Sequence, residues 1–362
     1  MSVYTIPPDS EGWEFDSPAT TAFDWVYDDG RAQLLRLYDK GTRKQWIGSD
    51  RLDWSHELDF ENPLGMPDEV IAINGTPWWD KMNAAERGEV RRHLQSWQFS
   101  QFMHGEQGAL ICAAKIVQTV PDLDSKYYAA TQVIDEARHV EVYSRYLHEK
   151  LQMAYPINPY LKALLDDALT DSRWDMTYLA MQVLIEGLAL AAFGLIRNQA
   201  TDPLGRALNA YVMQDEARHV MFGRLALRDY YPQLTEAERA DREEFCVEAC
   251  YLMRDRFLGE EVWGNIGLPA QEVIKYVDES ALLRMFRGFL FTRIVPILRD
   301  VGLWGEKVQG AFTDMGVLAF ADADIDALMA DDEQQADELD AAREVAIAET
   351  MRVGAEAADS PT

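Results

Sequence analysis

The hexapeptide Asp-Glu-Ala-Arg-His-Val occurs twice in this chain, at 135–140 and at 215–220. A further glutamate precedes each copy by thirty residues, Glu106 before Glu136 and Glu186 before Glu216. The set Glu106, Glu136 and His139 therefore returns 80 residues later as Glu186, Glu216 and His219. Asn83 and Glu86 read as a capping box, opening a helix through Glu106 to about Val120. A second helix is expected from Tyr127 to about Met153, a third from about Asp171 to Asn198 and a fourth from about Arg206 to Tyr230. Pro121-Asp-Leu-Asp-Ser and Thr201-Asp-Pro-Leu-Gly are the turns, and Pro156 and Pro159 mark the crossover between the two hairpins.

This spacing has a geometric consequence. Glu106 and Glu136 lie 17 and 13 residues from the centre of the first turn, and Glu186 and Glu216 lie 16 and 14 from that of the second. At about 1.5 Å per residue, each hairpin carries its two glutamates roughly 20–25 Å from its turn, at one level. Within each Glu-x-x-His the two side chains share a helical face. Two such hairpins packed together converge all six groups at mid-bundle.

The class is all-α, a four-helix bundle over 83–230 with flanking helices. Residues 1–82 form an irregular wrap that contains Pro7, Pro8 and six of the ten tryptophans. Across 231–330 further helices are expected. Thr235 and Glu238 cap one that runs to about Leu258, and another covers about Ala281–Arg299. Helical pattern returns over 321–352, and 331–362 reads as an acidic tail, a solvated or frayed helix. A net charge of −28 argues against nucleic acid and against anionic lipid. No apolar run of membrane-spanning length is evident. Three cysteines are too few for a four-thiolate cluster, and Cys246 and Cys250, one turn apart, read as packed thiols. The N-terminus lacks the basic and apolar regions of a signal peptide, so a reducing cytoplasm is expected.

One glutamate from each of two helices and Glu-x-x-His from the other two is the ligand set of ferritin-like di-metal carboxylate proteins. Carboxylates are hard donors that neutralise and bridge two cations, and one imidazole per metal leaves positions open. Asp135, Arg138, Asp215 and Arg218 are placed to hydrogen-bond the histidines and each other. The motif pair resembles the ferritin-like superfamily in its oxygen-activating di-iron branch. It is similar to the hydroxylase subunits of bacterial multicomponent monooxygenases over about residues 84–230. The resemblance implies two iron ions, with a manganese–iron pair also compatible, held by Glu106, Glu136, His139, Glu186, Glu216 and His219.

The chain departs from each subfamily. Those hydroxylases carry a threonine one turn after the third glutamate, where this chain has Leu190. Arylamine N-oxygenases add a third histidine one turn before the last glutamate, where it has Val212. Radical subunits of ribonucleotide reductase place a tyrosine one turn after the first histidine. Tyr143 does sit there, but those subunits commonly begin their ligand set with aspartate rather than Glu106. Tyr143 is thus a candidate redox or supporting residue, with a packed aromatic as the plainer reading. The small residues Gly105, Gly108, Ala109, Gly187, Ala189, Ala191, Ala192 and Gly194 fit either room for O2 and substrate or close helix packing. His104 is expected to face away from the site, and His56, His93 and His148 read as ordinary polar residues.

The leading expectation is an O2-dependent oxygenase, a hydroxylase or an N-oxygenase, acting on a small organic substrate. No dinucleotide, flavin or Fe–S motif is present, so a ferredoxin or flavoprotein reductase is the expected electron donor, and a homodimer the expected assembly. The alternatives are a radical-generating subunit and a ferroxidase or iron-storage protein.

Overall fold

The computed structural model describes residues 3–8, 12–27 and 30–358, the last stretch by backbone alone beyond residue 345. Four helices form its centre: Ala84–Thr119, Leu123–Arg145, Trp174–Gln199 and Pro203–Tyr230. Local chemistry explains where they start. Asn83 and Glu86 complete both halves of the capping box. Asp122 accepts from the Ser125 amide at 2.9 Å. Asp202 does the same for Gly205 at 2.6 Å, with Pro203 in the first turn, where its missing N–H costs nothing. The first two helices pack as one hairpin and the last two as the other. Among the described residues there is no strand, only an isolated bridge between Tyr4 and Ala154.

Two stretches of π-helix interrupt the regular winding, a feature that concentrates at functional sites. Tyr146–Leu151 ends the second bundle helix short of Met153, on Gln152 at φ 51°. Leu179–Ile185 lies within the third and delivers Glu186 as the first residue of the resumed α-helix. Gly223 of the fourth helix admits this segment, because a Cβ there would come within 2.4 Å of Gln182 Cβ.

Elsewhere the sequence expectations need correction. The crossover holds a helix, Pro159–Thr170, capped by Asn158 and burying Leu161, Leu164, Leu165 and Ala168. The single helix expected over Ala281–Arg299 is two, Ala281–Leu290 and Ile294–Asp300. Pro296 accounts for the break, since its ring excludes the carbonyl four residues earlier and it offers no N–H. Trp174–Gln199 is long and apolar enough to cross a membrane, contrary to the reading that no run is, and its most apolar window is 89% buried within the protein. It is a bundle-core helix.

The acidic C-terminal stretch is also helical, Ile325–Ala358, and its first half docks on the fourth bundle helix. Asp332 is buried against Arg293 at 3.0 Å and Arg197 at 3.5 Å. Asp337 meets Lys44, and Asp340 meets Arg51 and the Tyr211 hydroxyl. With the Lys40–Glu333 pair, these contacts join the last helix to Ala32–Arg43, the residue after it and the short helix Gly48–Arg51. A second, smaller apolar core joins Ile71, Ile73, Trp79 and Trp97 to Val262, Trp263 and Val277.

Replacing Asp332 with alanine strands two buried guanidiniums. A loss of about 3 kcal/mol is expected, read as a lower melting temperature and new protease sensitivity after residue 325. An unchanged melting curve and digestion pattern would show that the helix does not depend on this contact.

Candidate metal centre

All six repeat-derived groups meet in the bundle interior, and all are buried. They form two adjoining sets whose donor atoms lie within 4.8 Å of one another: Glu106, Glu136, His139 and Glu216, and then Glu136, Glu186, Glu216 and His219. Glu136 and Glu216 belong to both. Glu216 directs Oε1 to His139 Nδ1 at 3.0 Å and Oε2 to His219 Nδ1 at 3.5 Å. Glu136 does the reverse, with Oε1 at 3.1 Å from His219 Nδ1 and Oε2 at 3.3 Å from His139 Nδ1. Each shared carboxylate therefore splits its oxygens between two positions, while Glu106 and Glu186 serve one set each.

The imidazoles are held crosswise. His139 Nε2 lies 3.1 Å from Asp215 Oδ2, and His219 Nε2 lies 3.2 Å from Asp135 Oδ2. Each histidine is thus oriented by the aspartate of the other hairpin, with Nδ1 left facing the carboxylates. Arg138 bonds Asp135 and reaches Asp215 at 3.0 Å, and Arg218 bonds Asp215. The four residues flanking the ligand positions make the contacts expected of them, with the addition that they stitch the two repeats together.

Other participants lie outside the motif. Trp46 Nε1 donates to Asp215 Oδ2 at 2.7 Å and its ring lies under the Arg138 guanidinium. Gln45 donates to Asp135 Oδ1 at 2.7 Å. Nothing in the Trp-rich N-terminal stretch marks these two from their neighbours. Gln132 donates to Glu136 at 3.0 Å and to Glu186 at 2.8 Å, and Gln182 donates to Gln132 at 3.3 Å. Each glutamine stands one turn before a repeat glutamate, so a scan along that helical face would have found them.

The donor set fits two cations on two grounds. First, Glu186 Oε2 and, despite their close approaches, Glu136 Oε2, Glu216 Oε1 and His219 Nδ1 are buried without a contact of hydrogen-bond geometry, an unusual cost unless something else fills those lone pairs. Second, the four glutamates with Asp135 and Asp215 are six buried carboxylates against the two guanidiniums of Arg138 and Arg218. The remaining formal charge of −4 is balanced by two divalent ions. Without them the cluster draws in protons. Burial and then the Glu216 charge push Glu106 and Glu186 well above the usual carboxylate range. Burial works against protonating His139 and His219, yet the surrounding carboxylates push both well above the usual imidazole value.

Tyr143 is fully buried among Phe99, Phe102 and Phe193, and its hydroxyl donates to Asn209 at 3.2 Å. Leu190 and Val212 are buried without offering a donor atom, so each set keeps one histidine. His104 bonds the Tyr155 carbonyl, away from the cluster, while His56, His93 and His148 bond Asp202, Tyr155 and the Ser144 carbonyl. A cavity of about 30 Å³ adjoins Glu106, Glu186 and Glu216, walled by Gly105, Ala109, Ala189 and larger apolar side chains. The small residues thus divide: Gly105, Ala109 and Ala189 border space, whereas Gly108 is needed for packing, since a Cβ there would lie 2.3 Å from Leu165.

Two measurements test this geometry. Asp215→Asn should weaken the metal held with His139 about 10- to 100-fold and Asp135→Asn the one held with His219, read by metal stoichiometry at limiting Fe(II). Equal loss of both metals in either variant would contradict the crossed arrangement. Loading should also release protons, and should tighten as pH rises, because the metal displaces protons from groups whose affinity for them is raised. Calorimetry in buffers of different ionisation enthalpy counts them, and a count of zero would be incompatible with the cluster described.

The family model for the p-aminobenzoate N-oxygenase AurF matches residues 28–302, well beyond the four bundle helices. No curated protein matches the chain. Among solved structures, an R2-like ligand-binding oxidase with aerobically reconstituted Mn/Fe cofactor is 16% identical, covering 87% of this chain and 92% of its own at a TM-score of 0.37. A point mutant of an R2-like ligand-binding oxidase, with anaerobically reconstituted Mn/Fe cofactor, is 17% identical over 78% of this chain and 96% of that one, at 0.45. Likenesses at this level carry no weight for function. Matched over most of its length, and with the paired carboxylate–histidine sets of a dinuclear centre, the chain belongs to the p-aminobenzoate N-oxygenase AurF family and is an O2-using oxidoreductase.

Proposed function

We propose that the chain is a dinuclear-iron oxygenase that inserts one atom of O2 into a small organic amine. In this reading Glu106 and His139 would hold one ion and Glu186 and His219 the other, with Glu136 and Glu216 available to both. The observation that carries it is the cavity that opens onto Glu106, Glu186 and Glu216, beside the carboxylates that would hold the ions. The amine as substrate class comes from the family's p-aminobenzoate N-oxygenase. Val212 separates the chain from N-oxygenases with a third histidine, so the reaction proposed here runs on a ligand set with one imidazole per metal.

When bound, the two ions supply the redox chemistry that reduces O2; the residues hold and shield it. Gln132 fixes the orientation of Glu136 and Glu186 through its amide. The crossed Asp135 and Asp215 hold each imidazole in one tautomer, and preorganised groups of this kind need no rearrangement during reaction. Phe102, Leu161, Met181, Ile185, Leu188 and Phe193 wall the cavity with apolar surface that excludes bulk water. At about 30 Å³ it has room for only about two waters, so an aromatic amine would enter by displacing side chains. Met181, on the π-helical stretch, is the most adaptable of them.

Oxygen insertion places one oxygen atom in the product and one in water, consuming two electrons and two protons. The chain has no cofactor motif for delivering electrons, and an external ferredoxin or flavoprotein reductase is proposed as the donor. Three buried free thiols suit a reducing cytoplasm, and a homodimer is the proposed assembly.

Purified protein loaded with Fe(II), given ¹⁸O2, a chemical reductant and a panel of arylamines, should yield product containing one ¹⁸O. Glu136→Ala, which removes a carboxylate common to both donor sets, should abolish it. Product formation without ¹⁸O, or undiminished turnover in Glu136→Ala, would overturn the proposal.

A further inference from the structure

The surroundings of the cluster differ in how readily they give up an electron. The cavity is lined by no tyrosine, tryptophan or cysteine; its rings are Phe102 and Phe193, and its one oxidisable side chain is the Met181 thioether. His219 does not border the cavity, and beside it the Tyr128 ring stands 6.4 Å away between centres. From there the rings continue outward. Tyr128 meets Phe222 at 4.5 Å, Phe222 meets Tyr178 at 4.9 Å, Tyr178 meets Trp174 at 5.6 Å, and Trp174 meets Tyr230 at 4.7 Å. Tyr128, Phe222 and Tyr178 are fully buried, whereas Trp174 and Tyr230 are half-buried at the surface.

Packing accounts for rings that touch, but it does not require them to run in a line from the cluster to solvent. The group around Tyr143 ends on Tyr146, and Trp46 rests on Tyr211; both of those ends are buried. Among the described residues only the Tyr128 line joins a cluster histidine to half-buried rings. The chemistry of its first member is a second, independent sign. The Tyr128 hydroxyl is buried without a hydrogen-bond partner, which costs free energy that a phenylalanine would avoid. What a phenol has and phenylalanine lacks is an electron that a strong oxidant can remove.

We propose that the line from Tyr128 to Trp174 and Tyr230 is an escape route for oxidising equivalents, used when O2 has reacted and no substrate occupies the cavity. In each event Trp174 gives one electron to the metal centre and its indole proton to water, and a small-molecule thiol returns both and ends as half a disulfide. Two such electrons, with the two already held by the reduced metals and four protons from water, complete the reduction of O2 to water. Without this exit the oxidant would fall on Met181 and on the cluster's own residues. The route rests on the chain's use of O2 and not on the amine as substrate.

The test mixes Fe(II)-loaded protein with O2 in the absence of amine, with catalase present to remove any released peroxide. Freeze-quenched samples go to EPR and digested ones to peptide mass spectrometry. An organic radical whose spectrum changes on deuterium labelling of tryptophan or tyrosine is expected, with oxidised Trp174 or Tyr230 among the peptides. Tyr178→Phe keeps the packing but leaves two phenylalanines between Tyr128 and Trp174, so it should abolish Trp174 oxidation and raise Met181 sulfoxide. Tyr128→Phe, a break at the inner end, should do the same, whereas Trp174→Tyr should retain the radical. Trp174 oxidation that survives both breaks would overturn the proposal, as would radicals confined to Trp46 or Tyr143. If ¹⁸O enters an amine but no ring is oxidised in its absence, the route fails and the oxygenase reading stands. Ring oxidation without any ¹⁸O product is the converse.

Discussion

The arrangement that everything else serves is a concentration of negative charge where water does not reach. Six carboxylates and two guanidiniums share the bundle interior, and Coulomb repulsion at that depth is tolerable only if metal ions or protons complete the set. Many apparently separate features are answers to that demand. The aspartates lock the imidazoles, the arginines lock the aspartates, and Gln45 and Trp46 reach in from the N-terminal segment to lock both. Gln132 and Gln182 run an amide chain along the Glu186 side. Each contact removes a degree of freedom from a group whose misplacement would leave a buried charge alone.

The fold was legible wherever a local signal met a global one. The bundle helices combine caps, turns and a repeat of chemistry at matched distances, and each reinforces the others. The six cluster residues were readable because helical spacing alone puts them at one level. What escaped notice lacked one of these supports. The π-helical stretches add residues to a turn without any compositional mark. Asn158-Pro159 with Leu161, Leu164 and Leu165 was a helix start visible in the sequence but overshadowed by the prolines. Gln45 and Trp46 could not be found by pattern, because their partners lie 90 and 169 residues away. The C-terminal helix misled through composition: its acidic residues answer lysines and arginines elsewhere in the chain, which composition cannot see.

The cavity shows how function was divided between motif and scaffold. Its metal-facing side comes from the repeat, while its other walls come from the crossover helix, through Leu161, and from the end of Glu236–Asp255, through Arg256. Neither wall belongs to the repeated pattern. The carboxylate side of the cavity and its remaining walls therefore come from different parts of the chain, an arrangement by which one bundle can host many reactions.

The crossed grip of the aspartates has a consequence for how such a chain could have arisen. Since Asp215 holds His139 and Asp135 holds His219, neither hairpin carries a complete half-site. A single such hairpin would complete its grip on an imidazole only by pairing with its own copy about a two-fold axis, where every contact is made twice. The present chain is then a tethered pair. Tethering frees the halves to diverge, so that Gln132 on one side faces no counterpart at Val212 on the other, and a symmetric ancestor can acquire a single mouth.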